Sequence, residues 1–394
     1  MKRIALFGGS FDPIHTGHVR LADFLLHALR LNELTVIPAA VSPFKTETGT
    51  AAPDEDRLQM CRLSLTDPRI TVSDFEIKKG GVSYSVETVR AFRALHPDDE
   101  LFFVVGEDQL TQFHKWYMYR DILSMVTLAA VRRERTTENG ALQAYLDEHP
   151  EIGAHTRLLD FDPFPVSSTE IRQRAAACED LSGLVTPETE DFIYKRGLYQ
   201  PEAVRTMIAD IRGRLSDYRF YHSMCVADAA RRLALRYGWD PAKAYVSGVL
   251  HDAMKELGRR EGLRYFDEHG VAVSESERLI KKLQHAITGA DYAKRTYDPG
   301  DDIVSAIRYH TTGRENMTLP EKILFVADFI SDDRDYPGAA EMRERAKTSL
   351  EWMMEEGLRF TIEDLAKENR PIHPDTVNCY NQILLEKIRK EKEA

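Results

Sequence analysis

Short runs rich in β-branched and aromatic residues recur along the first half of the chain. They are IALF (4–7), LTVIP (34–38), ITVSDFEI (70–77), LFFVV (101–105), VTLAAV (126–131) and RLLDF (157–161). Between them, HVRLADFLLHALR (18–30) and DRLQMCRLSLT (56–66) space their apolar residues three and four apart, which is the helical period. Strands separated by helices predict βαβ units and a parallel sheet. The near-continuous apolar character of the strands fits a sheet covered on both faces.

The second half has no such strands. RFYHSMCVADAARRLALRYG (219–238), AKAYVSGVLHDAMKEL (242–257), SERLIKKLQHAITGADYAKR (276–295), DIVSAIRYH (302–310) and EKILFVADFI (321–330) carry the helical period throughout. This half therefore predicts an all-α helical bundle. The texture changes at KRGLYQPEAVR (195–205), where Gly197 and Pro201 interrupt two helical patterns. The domains expected are 1–199 and 200–394, with residues 361–394 a charged amphipathic tail.

A chain of 394 residues is long enough for two or three such domains. Its formal net charge is −11. The acidity is shared, with 22 basic against 30 acidic residues in 1–200 and 31 against 34 in the remainder. That balance speaks against a polymeric nucleic acid as partner and leaves free nucleotides open. The four cysteines, Cys61, Cys178, Cys225 and Cys379, are far apart and form no CxxC pair. No disulfide framework is expected. No apolar run approaches the ~18 residues of a membrane span, and the apolar start Ile4–Phe7 is too short for a signal peptide. The expected setting is cytoplasmic, and a homo-oligomer is compatible with the sequence.

The first strand runs directly into GGSFDPIHTGH, residues 8–18. Gly8 and Gly9 permit close backbone approach, with Ser10 and Phe11 next in the loop, and Gly17 and His18 open a helix. A helix N-terminus at the carboxyl edge of a parallel sheet is an anion site by geometry. His15 and His18 then offer two imidazoles to a phosphate gaining charge in a transition state. A second string, VSSTEIR (166–172), supplies Ser167, Ser168 and Thr169 ahead of a helical run, with Arg172 as a cationic fork. Neither string fits the dinucleotide fold's GxGxxG or the P-loop.

Together, GGSFDPxHxGH and the SSTxIR step resemble the signatures of the nucleotidyltransferase superfamily. Further strings resemble bacterial nicotinate-mononucleotide adenylyltransferases. They are SPFK with Lys45, GVSYSVETVR with Tyr84 and Thr88, VVGEDQLTQFHKWY with Gly106, Asp108 and Trp116, and the closing GLVTPETEDFIYKRGLY. SPFK stands where PxHK is usual, and VRRER where an RPG-like step is usual. The resemblance covers 1–199 and implies a Rossmann-like α/β domain. It implies adenylyl transfer from ATP, as its Mg²⁺ complex, to nicotinate mononucleotide, giving deamido-NAD and pyrophosphate. By it, His15, His18 and Lys45 hold the α-phosphate, while Ser167–Thr169 and Arg172 hold the departing pyrophosphate. Asp108 meets the ribose, and Tyr84, Thr88 and Trp116 hold the nicotinate nucleotide. Another small acceptor such as phosphopantetheine is the alternative.

The helical half spaces out His222, His251–Asp252, His285, His310 and Asp328. Burying so many ionisable groups on apolar helix faces without a metal would be costly, so the set predicts a metal centre of one or two ions. The strings SGVLHDAMKEL, LQHAITGA, IRYHTTGRENMT and EKILFVADFISDDR resemble the bacterial HD-domain hydrolases that cleave bis(5′-nucleosyl) tetraphosphates symmetrically. The resemblance implies that these six residues are the ligands, with iron favoured and Mn, Zn or Mg as alternatives. It implies that Lys255, Thr311 and Gly313 contact phosphate, with Arg219 and Arg334 as weaker candidates. The implied reaction is diadenosine tetraphosphate to two ADP. The contrasting reading is a regulatory nucleotide-binding module, or hydrolysis of another nucleotide.

Overall fold

A computed structural model describes residues 1–40, 51–132, 139–162 and 164–393. Contacts divide the chain into two compact units, residues 1–173 with 181–192, and residues 174–180 with 193–394. The single changeover expected at 199/200 is thus a stretch in which the chain passes between units more than once. The segment 174–180 is held within the second unit by hydrogen bonds. Tyr194 Oη donates to the carbonyl of Glu179 at 2.6 Å, and Arg231 Nη1 to the same carbonyl at 3.2 Å.

The first unit is built on six strands, β1 (Arg3–Gly9), β2 (Glu33–Pro38), β3 (Ile70–Val72), β4 (Glu100–Gly106), β5 (Thr127–Arg132) and β6 (Thr156–Asp160). Their spatial order is β3-β2-β1-β4-β5-β6, and every pair is parallel. Ile4 and Leu6 of β1, Leu101, Phe103 and Val105 of β4, and Leu128 and Ala130 of β5 lie in one buried cluster. The residues between them, Ala5, Phe102, Val104 and Ala129, are buried as well. Burial at both phases of the period of two is what makes these strands continuous apolar runs.

The strand expected over 70–77 stops at Val72, and Phe75–Lys79 is a short helix. Ser73 turns the chain there, its Oγ accepting from the Phe75 amide at 3.2 Å. The helices that bear on the site are α1 (Thr16–Ala28), α2 (Asp54–Ser64) and α3 (Ser168–Ala176). Strand order reverses between β1 and β4, which opens a crevice at their carboxyl ends. Gly8–Gly9 and Gly106 stand at those two ends.

The second unit is helical. Its relevant elements are α4 (Asp217–Tyr237), α5 (Pro241–Leu250), α6 (Lys281–Thr296), α7 (Asp301–Tyr309) and α8 (Leu319–Ile330). The tail ends in a further helix, Pro374–Glu393. Two expectations change. The helix expected over 276–295 is broken at Ile280 into Glu275–Leu279 and α6. The helix expected over 242–257 ends at Leu250, and residues 251–256 are turns. Neither glycine nor proline stops it. Instead, His251 Nδ1 lies 2.7 Å from the Gly248 carbonyl, the group that the next helical amide would otherwise use.

No helix among the described residues is long and apolar enough to cross a membrane.

Candidate functional site

In the first unit, His15 is the N-cap of α1, and the rings of His15 and His18 stack at 3.7 Å between centroids. The His15 amide donates to His18 Nδ1 at 3.3 Å. That bond leaves Nε2 as the protonated nitrogen of His18, a donor for an anion. His15 is buried and His18 half-buried. Phe11 supports the pair, its ring edge-on to His18 at 5.1 Å. Gly9 is required for this packing, because a Cβ there would come 2.9 Å from the Phe11 ring. Gly17 is equally constrained, with the His15 ring 3.1 Å from any Cβ.

The second motif closes on the first. Ser168 Oγ donates to the Pro13 carbonyl at 2.9 Å, and Arg172 Nη1 to the Asp12 carbonyl at 2.7 Å. Ser167 caps α3 through its Oγ, which accepts from the Glu170 amide at 3.1 Å. Ser167 and Thr169 are exposed. The N-termini of α1 and α3 therefore share one loop, Ser10–Pro13, and present amide donors beside it. Asp108 is exposed, two residues past β4. Its Oδ1 would be 2.5 Å from a Cβ at position 106, so Gly106 lets the carboxylate fold back over the strand end.

The proposed nicotinate residues divide. Tyr84 is exposed and meets Tyr117, also exposed, at 5.1 Å between rings, a pair able to take a flat heterocycle. Thr88 is only 2% exposed, and its hydroxyl donates to Glu76 Oε1 at 2.6 Å. It is held as a buried strut, bonded to Glu76 and not open to the crevice side of Tyr84 and Tyr117. Trp116 is half-buried and packs against Phe113 and Phe103 at 5.0 and 6.1 Å. Lys45 and the whole SPFK segment lie outside the described residues.

Two contributors were not singled out from the sequence. Arg57 is fully buried, and its guanidinium donates to the carbonyls of Ser10 at 2.6 Å and Ala39 at 2.7 Å, and to Asp54. The Asp12 carboxylate accepts from the amides of Ala51 and Ala52 at 2.7 and 3.2 Å. Both fix the loop that carries the histidines. An arginine in a helical pattern reads as a solvated charge, so only its burial reveals this role.

In the second unit, six of the expected residues converge. His222 Nε2 lies 3.1 Å from Asp328 Oδ1. His251 Nε2 lies 3.6 Å from Asp252 Oδ2, and His285 and His310 place their Nε2 atoms 3.2 and 3.7 Å from Asp252 Oδ1. His222, His251 and Asp328 form one group with ligand atoms within 4.8 Å of one another, and His251, Asp252 and His310 a second.

The donor set fits a divalent cation. His251 Nε2 and Asp252 Oδ2 are buried with no hydrogen-bond partner. His251 and His310 each point Nδ1 at a carbonyl three residues back, Gly248 and Ile307, at 2.7 Å. This fixes the Nδ1–H tautomer and turns both Nε2 lone pairs inward, as metal-ligating histidines require. The Nε2 atoms of His285 and His310 lie 3.2 Å apart, a spacing that suits a shared cation. His222 is braced from behind by Asp333, 2.8 Å from its Nδ1.

The electrostatics agree. Burial holds the imidazoles of His285 and His310 down at about 4, so both are neutral near pH 7. Burial also opposes ionisation of Asp252 and Asp328. Yet His251 and Lys255 hold Asp252, and His222 and Arg334 hold Asp328, well below the usual carboxylate range. His222 is likewise disfavoured as imidazolium by burial, but the Asp328 and Asp333 carboxylates outweigh this and hold it up at about 9. A bound cation would take the place of that proton.

Lys255 Nζ sits 3.2 Å from Asp252 Oδ1 and 3.0 Å from His285 Nε2. Arg334 pairs with Asp328, and Arg219 Nη1 stands 3.9 Å from Asp252 Oδ2. A cavity of about 640 Å³ opens here, lined by Arg219, Lys255, Lys281, Lys282 and His285 among others. Gly313 does not line it. It is buried at φ +64° with Cys379 and Met317 each 3.3 Å from any Cβ, so it turns the chain after α7. Thr311 also lies off the cavity lining, although its Oγ1 is buried with no partner.

Residues 6–174 match the family model described as cytidylyltransferase-like, and residues 219–332 match the HD domain. A probable nicotinate-nucleotide adenylyltransferase of Bordetella avium (strain 197N) is 40% identical over 205 residues, 51% of this chain and 100% of the relative. The chain belongs to the nicotinate-nucleotide adenylyltransferase family. It carries a C-terminal HD domain besides. Among solved structures, a predicted HD superfamily hydrolase involved in NAD metabolism, from Clostridium acetobutylicum, is 29% identical. It is covered to 97%, with 46% of this chain and a TM-score of 0.45. A Plasmodium falciparum nicotinic acid mononucleotide adenylyltransferase, complexed with APC, is 20% identical over 50% of this chain and 98% of its own, at a TM-score of 0.41. The family match falls on the unit that holds the stacked histidines, and the HD match on the unit that holds the six clustered histidines and aspartates.

Proposed function

We propose that the chain is bifunctional. The first unit transfers the adenylyl group of ATP to nicotinate mononucleotide, giving deamido-NAD and pyrophosphate. The second hydrolyses dinucleoside polyphosphates, diadenosine tetraphosphate in particular, to two ADP with a divalent metal. The observation that carries the first reading is the stacked His15–His18 pair at the N-terminus of α1, locked to the SSTEIR helix through Asp12 and Pro13.

In the transfer, a phosphate oxygen of nicotinate mononucleotide attacks the α-phosphorus, and the bond to the β-phosphate oxygen breaks. The nucleophile is already anionic, so no general base is needed. Catalysis is positioning and charge stabilisation. His18 Nε2–H and His15 donate to the α-phosphate oxygens. Ser167, Thr169 and Arg172 hold the pyrophosphate, Asp108 meets the ATP ribose, and Tyr84 with Tyr117 takes the nicotinate ring. Mg²⁺ arrives with ATP.

In the second unit, His222, His251, Asp252, His285, His310 and Asp328 would hold the metal. Such ions polarise phosphoryl oxygens and make water acidic near neutral pH. Lys255 places a positive charge beside the scissile phosphates, and Arg334 and Arg219 restrain the two carboxylates. The mixed imidazole–carboxylate set suits iron, manganese or zinc, with iron our reading.

Pyrophosphate release from ATP, Mg²⁺ and nicotinate mononucleotide tests the first activity. His18→Ala lowers its kcat/KM by about a hundredfold and leaves ADP release from diadenosine tetraphosphate intact. Asp252→Ala does the reverse. A chain inert toward nicotinate mononucleotide overturns the first assignment, and equal hydrolysis by wild type and Asp252→Ala overturns the second.

A further inference from the structure

The cavity beside the metal cluster has more positive charge than cleavage of one anhydride requires. Of its lining residues, Arg219, Lys255, Lys281 and Lys282 are cationic and Glu256 alone is acidic. Glu256 is already engaged, its carboxylate accepting from the amide and hydroxyl of Ser216 at 3.1 and 2.5 Å. Four cations against one carboxylate leave the wall a net positive surface within a chain of net charge −11, with Lys255 and Arg219 facing Asp252 and Lys281 and Lys282 at its outer end. Lys255 and His285 belong both to this wall and to the cluster around Asp252, so cavity and metal site are continuous.

The cations are graded by depth. Lys255 touches Asp252 directly, and Arg219 reaches it at 3.9 Å. Lys281 and Lys282 open α6, are exposed, and lie on the cavity lining three to four residues before His285. An anion that spanned from the cluster to these lysines would be an extended one.

We infer that Lys281 and Lys282 are specificity residues that bind phosphates lying beyond the scissile bond, so that the cavity selects a polyphosphate chain over a two-phosphate bridge. This rests on the hydrolase reading given above and deepens it. A diphosphate-bridged dinucleotide is the product class of the first unit, and its single anhydride offers fewer phosphate charges to the outer lysines than a tetraphosphate does. The cation wall thus spares that product by differential affinity.

The test uses the full-length chain and Lys281→Ala/Lys282→Ala. Both positions are exposed and alanine favours helix, so folding is retained. Binding of adenosine 5′-tetraphosphate and of AMP is measured by calorimetry at two salt concentrations. The double variant binds the tetraphosphate about tenfold more weakly with a shallower salt dependence, while AMP affinity changes less than twofold. In turnover, kcat/KM for diadenosine tetraphosphate falls through KM, and its ratio over deamido-NAD narrows. Unchanged tetraphosphate binding, or equal losses for tetraphosphate and AMP, overturns the inference. A wild-type chain that binds the tetraphosphate through these lysines but hydrolyses no dinucleoside polyphosphate overturns the hydrolase reading instead.

Discussion

Replacing Gly248 by alanine tests whether close helix packing builds the metal centre. A Cβ at this position would stand 2.4 Å from Ala227 Cα, 2.5 Å from Ala227 N and 2.9 Å from the Val226 carbonyl carbon. These are backbone atoms of α4, so no rotamer change relieves them. Contact distance for carbon is ~3.5 Å, and α4 and α5 must therefore part by about 1 Å locally. Met224, Ala230, Tyr245 and Val249 are all within 3% of full burial across this seam. A gap of that size forfeits up to half of the dispersion well for each pair it opens, and overpacking of this kind costs ~3 kcal/mol or more. Helix propensity acts oppositely, since alanine gains ~1 kcal/mol over glycine inside a helix. The net expectation is ~2 kcal/mol or more of destabilisation. The Gly248 carbonyl also fixes His251, so metal content falls in the same variant. Unfolding of the second unit is followed by circular dichroism alongside metal stoichiometry, with transferase turnover as the unaffected control. Ala227→Gly does not rescue, because the clash is with the backbone. A Gly248→Ala chain of equal or greater stability with full metal content would refute the argument.

Two further substitutions address residues that act through others. Asp333→Asn removes the carboxylate behind His222 Nδ1 and weakens metal affinity by about tenfold or more with little change in the unfolding midpoint, as a chelator titration will read. Arg57→Lys keeps a charge but loses the fork that holds Ser10 and Ala39. Adenylyl transfer then falls by about a hundredfold, as expected when the phosphate-binding loop is misplaced by ~1 Å, while polyphosphate hydrolysis is unchanged. Equal transferase rates would show that the loop holds itself.

Much of this organisation was legible because period and burial coincide. Five of the six strands follow their apolar runs closely, since both faces of the sheet are covered. The third run misled because Phe75, Glu76 and Ile77 resume a polar–apolar alternation beyond the Ser73 turn that has already ended the strand. At the candidate metal centre, residue types and order picked out side chains that the fold brings together, but not the form of their support. His251 and His310 were read as helix-face residues, whereas each is the C-cap of its helix. Side-chain direction is what a one-dimensional pattern leaves out. Thr88 and Gly313 stand within motif strings yet face inward, one bonded to Glu76 and the other packed on Cys379. Arg57 and Asp333 were missed for the converse reason, since charges inside helical or loop patterns are ordinarily solvated.

Under the proposed function, the two sites meet phosphates with opposite ends of the helix. In the first unit, α1 and α3 direct their N-termini at the Ser10–Pro13 loop, where free amides and the positive end of the helix dipole favour an anion directly. In the proposed transfer no metal ligand set is needed from the protein there, its donors being imidazoles, hydroxyls and one guanidinium. In the second unit, His251 and His310 cap the C-termini of α5 and α7, and Asp328 lies two residues from the end of α8. Helix C-termini are negative and repel phosphate, but they favour a cation. Such a site becomes a phosphate site only by interposing metal or lysine charge. Lys255 at Asp252 and the cationic cavity wall are therefore consequences of building on helix C-termini. The acidity of the chain as a whole is no obstacle, because at both sites the field that meets the phosphate is set within a few ångströms.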